Sequence, residues 1–205
     1  ITVDAYNGSV KYYLVDAKDP IARAYQRMYP GLIKPMEEMP EKLRKQIRYP
    51  QTLFEIQMKM YSKYHQTNPE TFYKDEDRWQ FAELVHEERL IGMQPYYLTV
   101  DLIEHNKPEF ILVTPMLPNN RENLRALALA GCDGDNYGRI IVYLFPRGSQ
   151  VYGPSQMNAL IDQNTTIAEI ITLWDQLGSE VKRGKMIIFP LGKHILYIQP
   201  LYLEA

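Results

Sequence analysis

Alternating apolar and polar positions predict about seven β-strands, most of them arranged as hairpins. The first alternation meets the turn pair Asn7-Gly8, which predicts a two-residue hairpin between residues 1–6 and 9–15. Residues 104–108 and the pair Gly192-Lys193 are predicted to turn two further hairpins. The remaining strands, rich in β-branched and aromatic residues, are predicted at 96–102, 109–114, 139–145, 186–190 and 194–203.

Helical spacing of apolar residues predicts two helices in the first half of the chain. A short helix begins at Asp19-Pro20, with proline in its first position, and ends before Pro30. A longer helix begins after Pro50, and its apolar residues predict a buried stripe. The residues of that stripe are Leu53, Ile56, Met60 and Tyr64, widened by Phe54 and Tyr61.

Two polar stretches predict less regular structure. Residues 37–48 mix both signs of charge and are predicted to be a solvated short helix or a loop. Residues 68–88 form the most acidic stretch and are predicted to be an elaborated loop. Its anchors to the body of the protein are predicted to be Tyr73, Trp79 and Phe81.

Three helices are predicted in the second half of the chain. Asn119 or Asn120 caps the first, and Gly131 stands where a left-handed stop is expected. The second begins at Pro154 and runs to residue 161, and the third has the capping-box pair Thr166 and Glu169. The predicted apolar faces of the first and third helices are Leu124, Leu127 and Ala128, and Ile167, Ile170, Ile171 and Trp174.

These elements predict an α+β fold, with four or five helices packed on a largely antiparallel sheet of about seven strands. The 205 residues are 45% hydrophobic and 23% charged, which is typical of a globular protein. No repeat or Gly/Ser-rich linker divides the sequence. Residues 1–205 are therefore predicted to form a single soluble domain.

Charge and cysteine content exclude several function classes. A net charge of −2 lacks the basic footprint of a dedicated DNA- or RNA-binding protein, so no nucleic-acid partner is expected. The one cysteine, Cys132, excludes an internal disulfide and a thiolate zinc site. No run approaches the roughly 18 to 20 apolar residues that span a bilayer.

Asp133, Asp135 and Asn136 lie in the densest polar cluster of the sequence. The cluster imitates the start of an EF-hand calcium loop, but its fifth position is Tyr137 and its twelfth is Leu144, where calcium requires oxygen ligands. The EF-hand interpretation therefore fails, and the residue types favour a tight turn. The alternative interpretation is a divalent-cation site or an acid–base pair built on the two carboxylates.

The four histidines do not form a metal-binding or catalytic motif. His86-Glu87-Glu88 resembles the start of a metalloprotease helix, but Leu90 stands where the second histidine is required. His65, His105 and His194 are predicted, like His86, to be surface or edge residues. Cys132 is predicted to be buried and structural. No metal ligand and no cofactor is predicted from these residues.

Tyrosines and a basic segment are the candidates for a binding surface. The sequence holds 16 tyrosines, including the pair Tyr96 and Tyr97, and tyrosine suits both sheet packing and ligand or partner contacts. Lys182, Arg183 and Lys185 form a compact basic turn, which is either simply solvated or faces anionic lipid headgroups. The predicted candidate surface comprises these five residues.

Motifs rich in Pro, Gly, Tyr and Trp run in a fixed order through the whole chain. They include Tyr6-Asn7-Gly8-Ser9-Val10, Asp19-Pro20-Ile21, Met28-Tyr29-Pro30-Gly31-Leu32, Pro108-Glu109-Phe110, Cys132 to Gly138, Leu173-Trp174-Asp175-Gln176 and Pro200-Leu201-Tyr202-Leu203. In these motifs the chain resembles the uncharacterised protein family 0182, whose members are bacterial multi-pass membrane proteins. It departs from the family's usual turns at 104–107 and at Asn164-Thr165.

The resemblance implies that the chain is an excised part of the large extracytoplasmic region that follows the membrane helices. The implied location is the bacterial cell membrane, on its extracytoplasmic side. The family supplies no established reaction, catalytic residue or cofactor.

The leading functional hypothesis is binding or assembly without catalysis. Its expected partners are the remainder of the parent membrane protein and an envelope protein, glycan or lipid. One alternative is an envelope hydrolase that uses Asp133 and Asp135. The other is a regulatory or gating domain for transport through the attached membrane helices.

Overall fold

The computed structural model describes residues 1–86, 89–104, 107–146, 148–176, 178–192 and 194–204. These residues contain six α-helices and fourteen strands, and nearly all strand pairs are antiparallel, so the predicted α+β class is confirmed. The chain divides into two compact units, Ile1–Arg48 and Tyr49–Ala205. That the whole chain folds as one domain stays a prediction.

The first unit is a three-stranded sheet with a crossover helix. Its elements are β1 (Thr2–Val3), β2 (Val10–Leu14), α1 (Pro20–Met28), β3 (Ile33–Pro35) and α2 (Glu41–Arg44). β1 and β2 pair antiparallel, and β3 pairs parallel to β2 because α1 carries the chain back across the sheet. The Asp19 side chain accepts hydrogen bonds from the backbone of Ile21 and Ala22, so α1 begins as predicted.

The first hairpin has a longer connection than predicted. Val3 pairs with Val10, which leaves residues 4–9 as the connection instead of the pair Asn7-Gly8 alone. The Asp4 side chain accepts a hydrogen bond from Tyr6 N at 2.8 Å, and that of Asn7 accepts one from Ser9 N at 2.9 Å. These local side-chain bonds stabilise a wider turn than the dipeptide signal implies.

The second unit is built around a five-stranded antiparallel sheet. Its elements are α3 (Gln51–Tyr64), α4 (Pro69–Lys74), β4 (Trp79–Phe81), β5 (Glu83–His86), β6 (Arg89–Gly92), β7 (Tyr96–Glu104), β8 (Lys107–Pro118), β9 (Ala126–Gly131), β10 (Ile140–Leu144), α5 (Pro154–Gln163), α6 (Thr165–Trp174), β11 (Glu180–Arg183), β12 (Ile187–Leu191), β13 (His194–Ile198) and β14 (Leu201–Glu204). β8 is the hub of the sheet: β9 pairs with one edge, while β7 and then β4 pair with the other.

The hairpins of β7 with β8 and of β12 with β13 are confirmed. The final predicted strand is divided, because β14 leaves β13 and pairs with β11 instead.

The helix predicted to begin at Asn119 or Asn120 is wrong. Residues 126–131 form β9, which pairs with strands on both edges and is buried on both faces. Its leucines face one cluster of buried side chains and its alanines face another. Because β9 has no polar face, its sequence shows no alternation of apolar and polar residues. Alanine and leucine are also strong helix formers, so the sequence pattern favours a helix. Asn120 has a positive φ of 58° in the preceding turn.

Helix α3 forms as predicted but buries a different face. Phe54 and Met58 are fully buried against the alanine face of β9, whereas Leu53, Ile56, Met60 and Tyr64 are exposed by between 43% and 66%. Alanine side chains leave room between helix and sheet for the ring of Phe54, which fixes the rotation of the helix. The predicted burial is therefore wrong for these four residues, whereas the predicted burial of Phe54 is confirmed.

Two further predictions fail locally. Residues 68–86 are not a loop, because they contain α4, capped by Asn68, followed by β4 and β5, and the last two residues of the predicted loop lie outside the described residues. Trp79 anchors this stretch in the core, but the Tyr73 side chain is 91% exposed. Helix α6 is capped by Asn164, whose Oδ1 accepts a hydrogen bond from Ile167 N at 3.1 Å, and not by the predicted Thr166.

Candidate functional site

The acidic turn lies between β9 and β10, where its polar side chains bond to the neighbouring backbone and to each other. Asp133 Oδ2 accepts a hydrogen bond of 2.7 Å from Phe110 N, which ties the turn to β8. Asn136 is buried, and its Nδ2 donates to both carboxylate oxygens of Glu109, at 2.9 and 3.0 Å. The Arg139 guanidinium donates to Asn136 Oδ1 at 3.2 Å. This network satisfies the buried polar atoms of the turn.

Glu109 is the member of this network that the sequence interpretation missed. Its side chain is only 4% exposed, and Lys107 Nζ lies 3.3 Å from its Oε1. Charged residues are rarely buried unless they are paired, so Glu109 depends on Asn136 and Lys107. The available signal was a glutamate inside an otherwise apolar strand.

The backbone geometry of the turn explains why glycine occupies two of its positions. A Cβ on Gly131 would lie 2.1 Å from the carbonyl oxygen of Asn136, and Gly138 adopts a φ of +76°. Asp133 is half-buried and Asp135 is exposed. Across the described part of the chain, no group of three His, Cys, Asp or Glu side chains is placed to hold a metal ion. The geometry therefore fits the turn interpretation of Asp133, Asp135 and Asn136.

A cavity of about 770 Å³ lies within the second unit, at strand β11, and is here called the β11 cavity. Residues of β5, β6, β7, α5 and β11 line it. It falls within the range of about 300 to 1,000 Å³ typical of small-molecule sites. Of the predicted binding surface, Tyr96, Lys182, Arg183 and Lys185 line this cavity, and Tyr97 does not.

Hydrogen bonds and an ion pair fix the elements around the β11 cavity. Ser155 Oγ, at the start of α5, donates to Glu83 O of β5 at 2.7 Å. Arg183 of β11 forms an ion pair with Asp162 of α5. These contacts join the helix to strands on two sides of the cavity.

Tyr96 and Tyr97 serve different parts of the fold. The Tyr96 hydroxyl donates to Ile188 O at 2.8 Å and accepts from Ile188 N at 3.0 Å, and burial raises the pKa of this hydroxyl. The Tyr97 hydroxyl donates to Tyr49 O at 2.9 Å, and its ring stacks on Phe110. Successive strand residues point to opposite faces, so the pair cannot form one surface.

The predicted basic turn is instead part of a strand, because Lys182 and Arg183 belong to β11 and pair with β14. Lys182 Nζ lies 2.5 Å from Glu204 Oε2, and Arg183 is paired with Asp162. Lys185 is exposed and forms no ion pair with the residues that the structure describes. Among the described residues, Lys185 is therefore the cation of this segment without an ion pair, whereas Lys182 faces the carboxylates of both Glu204 and Glu180.

The histidines and the cysteine are spread over the fold. The ring centroids of His65 and Trp79 lie 3.9 Å apart. The Nδ1 atom of His65 lies 3.0 Å from Tyr61 O. His194 begins β13 and is exposed, His86 ends β5, and His105 lies outside the described residues. Cys132 is buried.

The chain matches the sequence profile of an uncharacterised protein family, UPF0182, over residues 1–174. It is 54% identical over 205 residues to a UPF0182 protein of Syntrophobacter fumaroxidans, covering 100% of this chain and 24% of that protein. A UPF0182 protein of Nitrosococcus oceani is 51% identical, and the match covers 99% of this chain and 23% of that protein. A UPF0182 protein of Synechococcus sp. (strain JA-3-3Ab) is 46% identical, and the match covers 99% of this chain and 25% of that protein. The chain thus spans about a quarter of the length of these relatives.

No solved structure matches the chain. Among the described residues, no helix has both the length and the apolar character needed to cross a bilayer.

Proposed function

Because the chain belongs to the uncharacterised family UPF0182, as its motifs predict, we propose that it is a non-catalytic binding domain of a larger membrane protein. In this proposal the domain lies on the extracytoplasmic side of the bacterial cell membrane. The relatives are about four times longer than this chain, so most of such a protein lies outside the 205 residues.

The observation that carries the binding role is the β11 cavity. It gathers four of the five residues that the sequence singles out for binding. The larger part of its surface is apolar, and seven of its fourteen lining residues are polar or charged. Small-molecule sites commonly have a largely apolar surface.

The geometry of the acidic turn supports a role without catalysis. Asp133 bonds to the backbone of β8, and Asn136 is occupied by Glu109. A carboxylate that must act as acid or base needs a free lone pair directed at a substrate and a partner that tunes its pKa. Asp135 is exposed at the surface of the turn.

Exposed apolar helix faces support assembly with the remainder of the protein. Leu53, Ile56 and Met60 follow one face of α3, and Leu173 and Trp174 are exposed on α6. Contiguous apolar surface of this kind commonly marks an interaction site.

The location is tested in cells that express the full-length protein. An antibody against residues 1–205 is used to probe membrane and cytosolic fractions, before and after protease treatment of spheroplasts. We expect a membrane-bound band much heavier than 24.0 kDa that the external protease shortens. A protected band in the cytosolic fraction would contradict the proposed location.

A further inference from the structure

We propose that the β11 cavity binds one amphipathic anion, a molecule with an aliphatic chain, a single negative charge and a hydroxyl group. The proposal rests on the proposed binding role and adds the chemical class of the ligand. Three features of the lining, each from different residues, specify the three parts of this ligand.

The aliphatic part is specified by the apolar lining. Leu84, Ile91 and Met93 line the cavity together with the ring of Tyr96. Ile91 is 51% exposed, so a bound chain removes apolar surface of this residue from water. The Tyr96 hydroxyl is engaged by both backbone groups of Ile188, which leaves its ring as the part that faces a ligand.

The charge is specified by the pairing of the basic residues. Lys182 and Arg183 line the cavity, but Glu204 and Asp162 neutralise them. The acidic lining residue Glu180 lies 3.9 Å from Lys182 and lowers the local positive potential further. The three basic lining residues are balanced in number by the carboxylates of Glu180, Glu204 and Asp162, so the cavity has no excess positive charge. Lys185 is the cation without an ion pair within the described residues, and it is therefore the group that a single negative charge on the ligand would contact.

The hydroxyl is specified by Asn158 of α5. This residue lines the cavity and is 5% exposed, and its Oδ1 is buried without a hydrogen-bond partner in the described structure. A buried acceptor without a donor is unfavourable, because it has lost its hydrogen bonds to water. The terminal torsion of asparagine is soft, and a rotation about it is the movement by which Oδ1 would reach a ligand hydroxyl.

A single negative charge, a hydroxyl and a chain occur together in free hydroxy fatty acids and in anionic glycerolipids. The test therefore uses isothermal titration calorimetry with the 205-residue chain and 3-hydroxydodecanoate, below the concentration at which it forms micelles. Dodecanoate lacks the hydroxyl and 1,3-dodecanediol lacks the charge, so the pair provides matched controls. Phosphatidylglycerol and phosphatidylcholine vesicles form the membrane arm of the experiment.

We expect one molecule of 3-hydroxydodecanoate to bind per chain, more tightly than either control. Lys185→Met lowers this affinity about fivefold, toward that of the diol, and leaves diol binding unchanged. Asn158→Leu lowers it about fivefold, toward that of dodecanoate, and leaves dodecanoate binding unchanged. Lys59→Met, at an exposed lysine of α3 that does not line the cavity, leaves all three affinities unchanged.

Equal affinities for the three probes, or affinities that neither variant changes, would overturn the proposal. Binding to phosphatidylglycerol vesicles without binding of monomers would also overturn it, in favour of a membrane surface. Lys185 is exposed, so its variant keeps the test decisive even where Asn158→Leu does not fold. If the chain binds 3-hydroxydodecanoate but the full-length protein is found in the cytosol, the proposed location alone is overturned. If the full-length protein is found in the membrane but the chain does not bind 3-hydroxydodecanoate, the ligand class alone is overturned.

Discussion

At the scale of single residues, the buried carboxylate of Glu109 depends on the amide of Asn136. Asn136→Ala removes the donor to both oxygens and leaves Lys107 as the partner of the charge among the described residues. We expect the free energy of unfolding to fall by about 2 to 3 kcal/mol, because a buried charge loses its hydrogen bonds. Urea denaturation measures the change. Asp135→Ala, in the same turn, is the matched control, and equal midpoints for the two variants would contradict this role of Asn136.

A second prediction at this scale concerns Tyr197 and alkaline pH. Its hydroxyl donates to Tyr152 O at 2.6 Å, and burial raises its pKa from 10.0 to about 12. The folded protein therefore favours the neutral phenol more than the unfolded chain does. This stabilisation is complete below pH 10 and is lost as the pH rises toward 12.

Urea denaturation at pH 8, 10 and 11 measures this loss. Tyr197→Phe is expected to lose less stability than the wild type over that range, since it has no phenol to ionise. Parallel curves for the two proteins would show that Tyr197 does not contribute. Tyr73→Phe, at an exposed tyrosine, is the matched control.

At the scale of elements, the orientation of α3 determines which of its apolar residues stabilise the fold. Phe54→Ala is expected to cost about 3 to 5 kcal/mol, because it empties a fully buried site against the sheet. Ile56→Ala is expected to change the free energy of unfolding by less than about 0.5 kcal/mol. Thermal and urea denaturation compare the two variants. A large cost for Ile56→Ala would mean that this helix face is covered in solution.

The same scale shows why some elements are predictable from sequence and others are not. The cap of α1 at Asp19 and the start of α5 at Pro154 depend on neighbours in the chain, and both were predicted. The rotation of α3 depends on the alanines of β9, some 70 residues later, and β9 itself depends on strands at both edges. Periodicity within one segment does not contain that information.

At the scale of the whole molecule, the three clusters of buried side chains all lie within Tyr49–Ala205. A chain of residues 49–205 is therefore expected to unfold in a single cooperative transition and to retain near-ultraviolet circular dichroism. Such a result would contradict the single domain predicted from the sequence. A fragment with native secondary structure but no cooperative transition would instead favour that prediction.

The candidate site is also a property of the whole molecule, which limits its prediction. Sequence chemistry identified Tyr96, Lys182, Arg183 and Lys185, because aromatic and basic side chains are recognisable in isolation. It did not identify Asn158, which gains its significance from burial beside β11. It also grouped Tyr97 with Tyr96, although the alternation of a strand sends the two rings to opposite faces.

The central sheet also has a consequence for the order in which the protein folds. β7, β8, β9 and β10 are consecutive along the chain and adjacent in the sheet, so each pairing closes only a short loop. Low sequence separation of contacts favours rapid folding. β11, in contrast, pairs with β14, which lies further along the chain than the partners of the central strands lie from one another. Pulse-labelled hydrogen exchange during refolding is expected to protect the amides of residues 111–114 before those of residues 181–183. The ligand cavity then becomes complete only after the body of the sheet has formed.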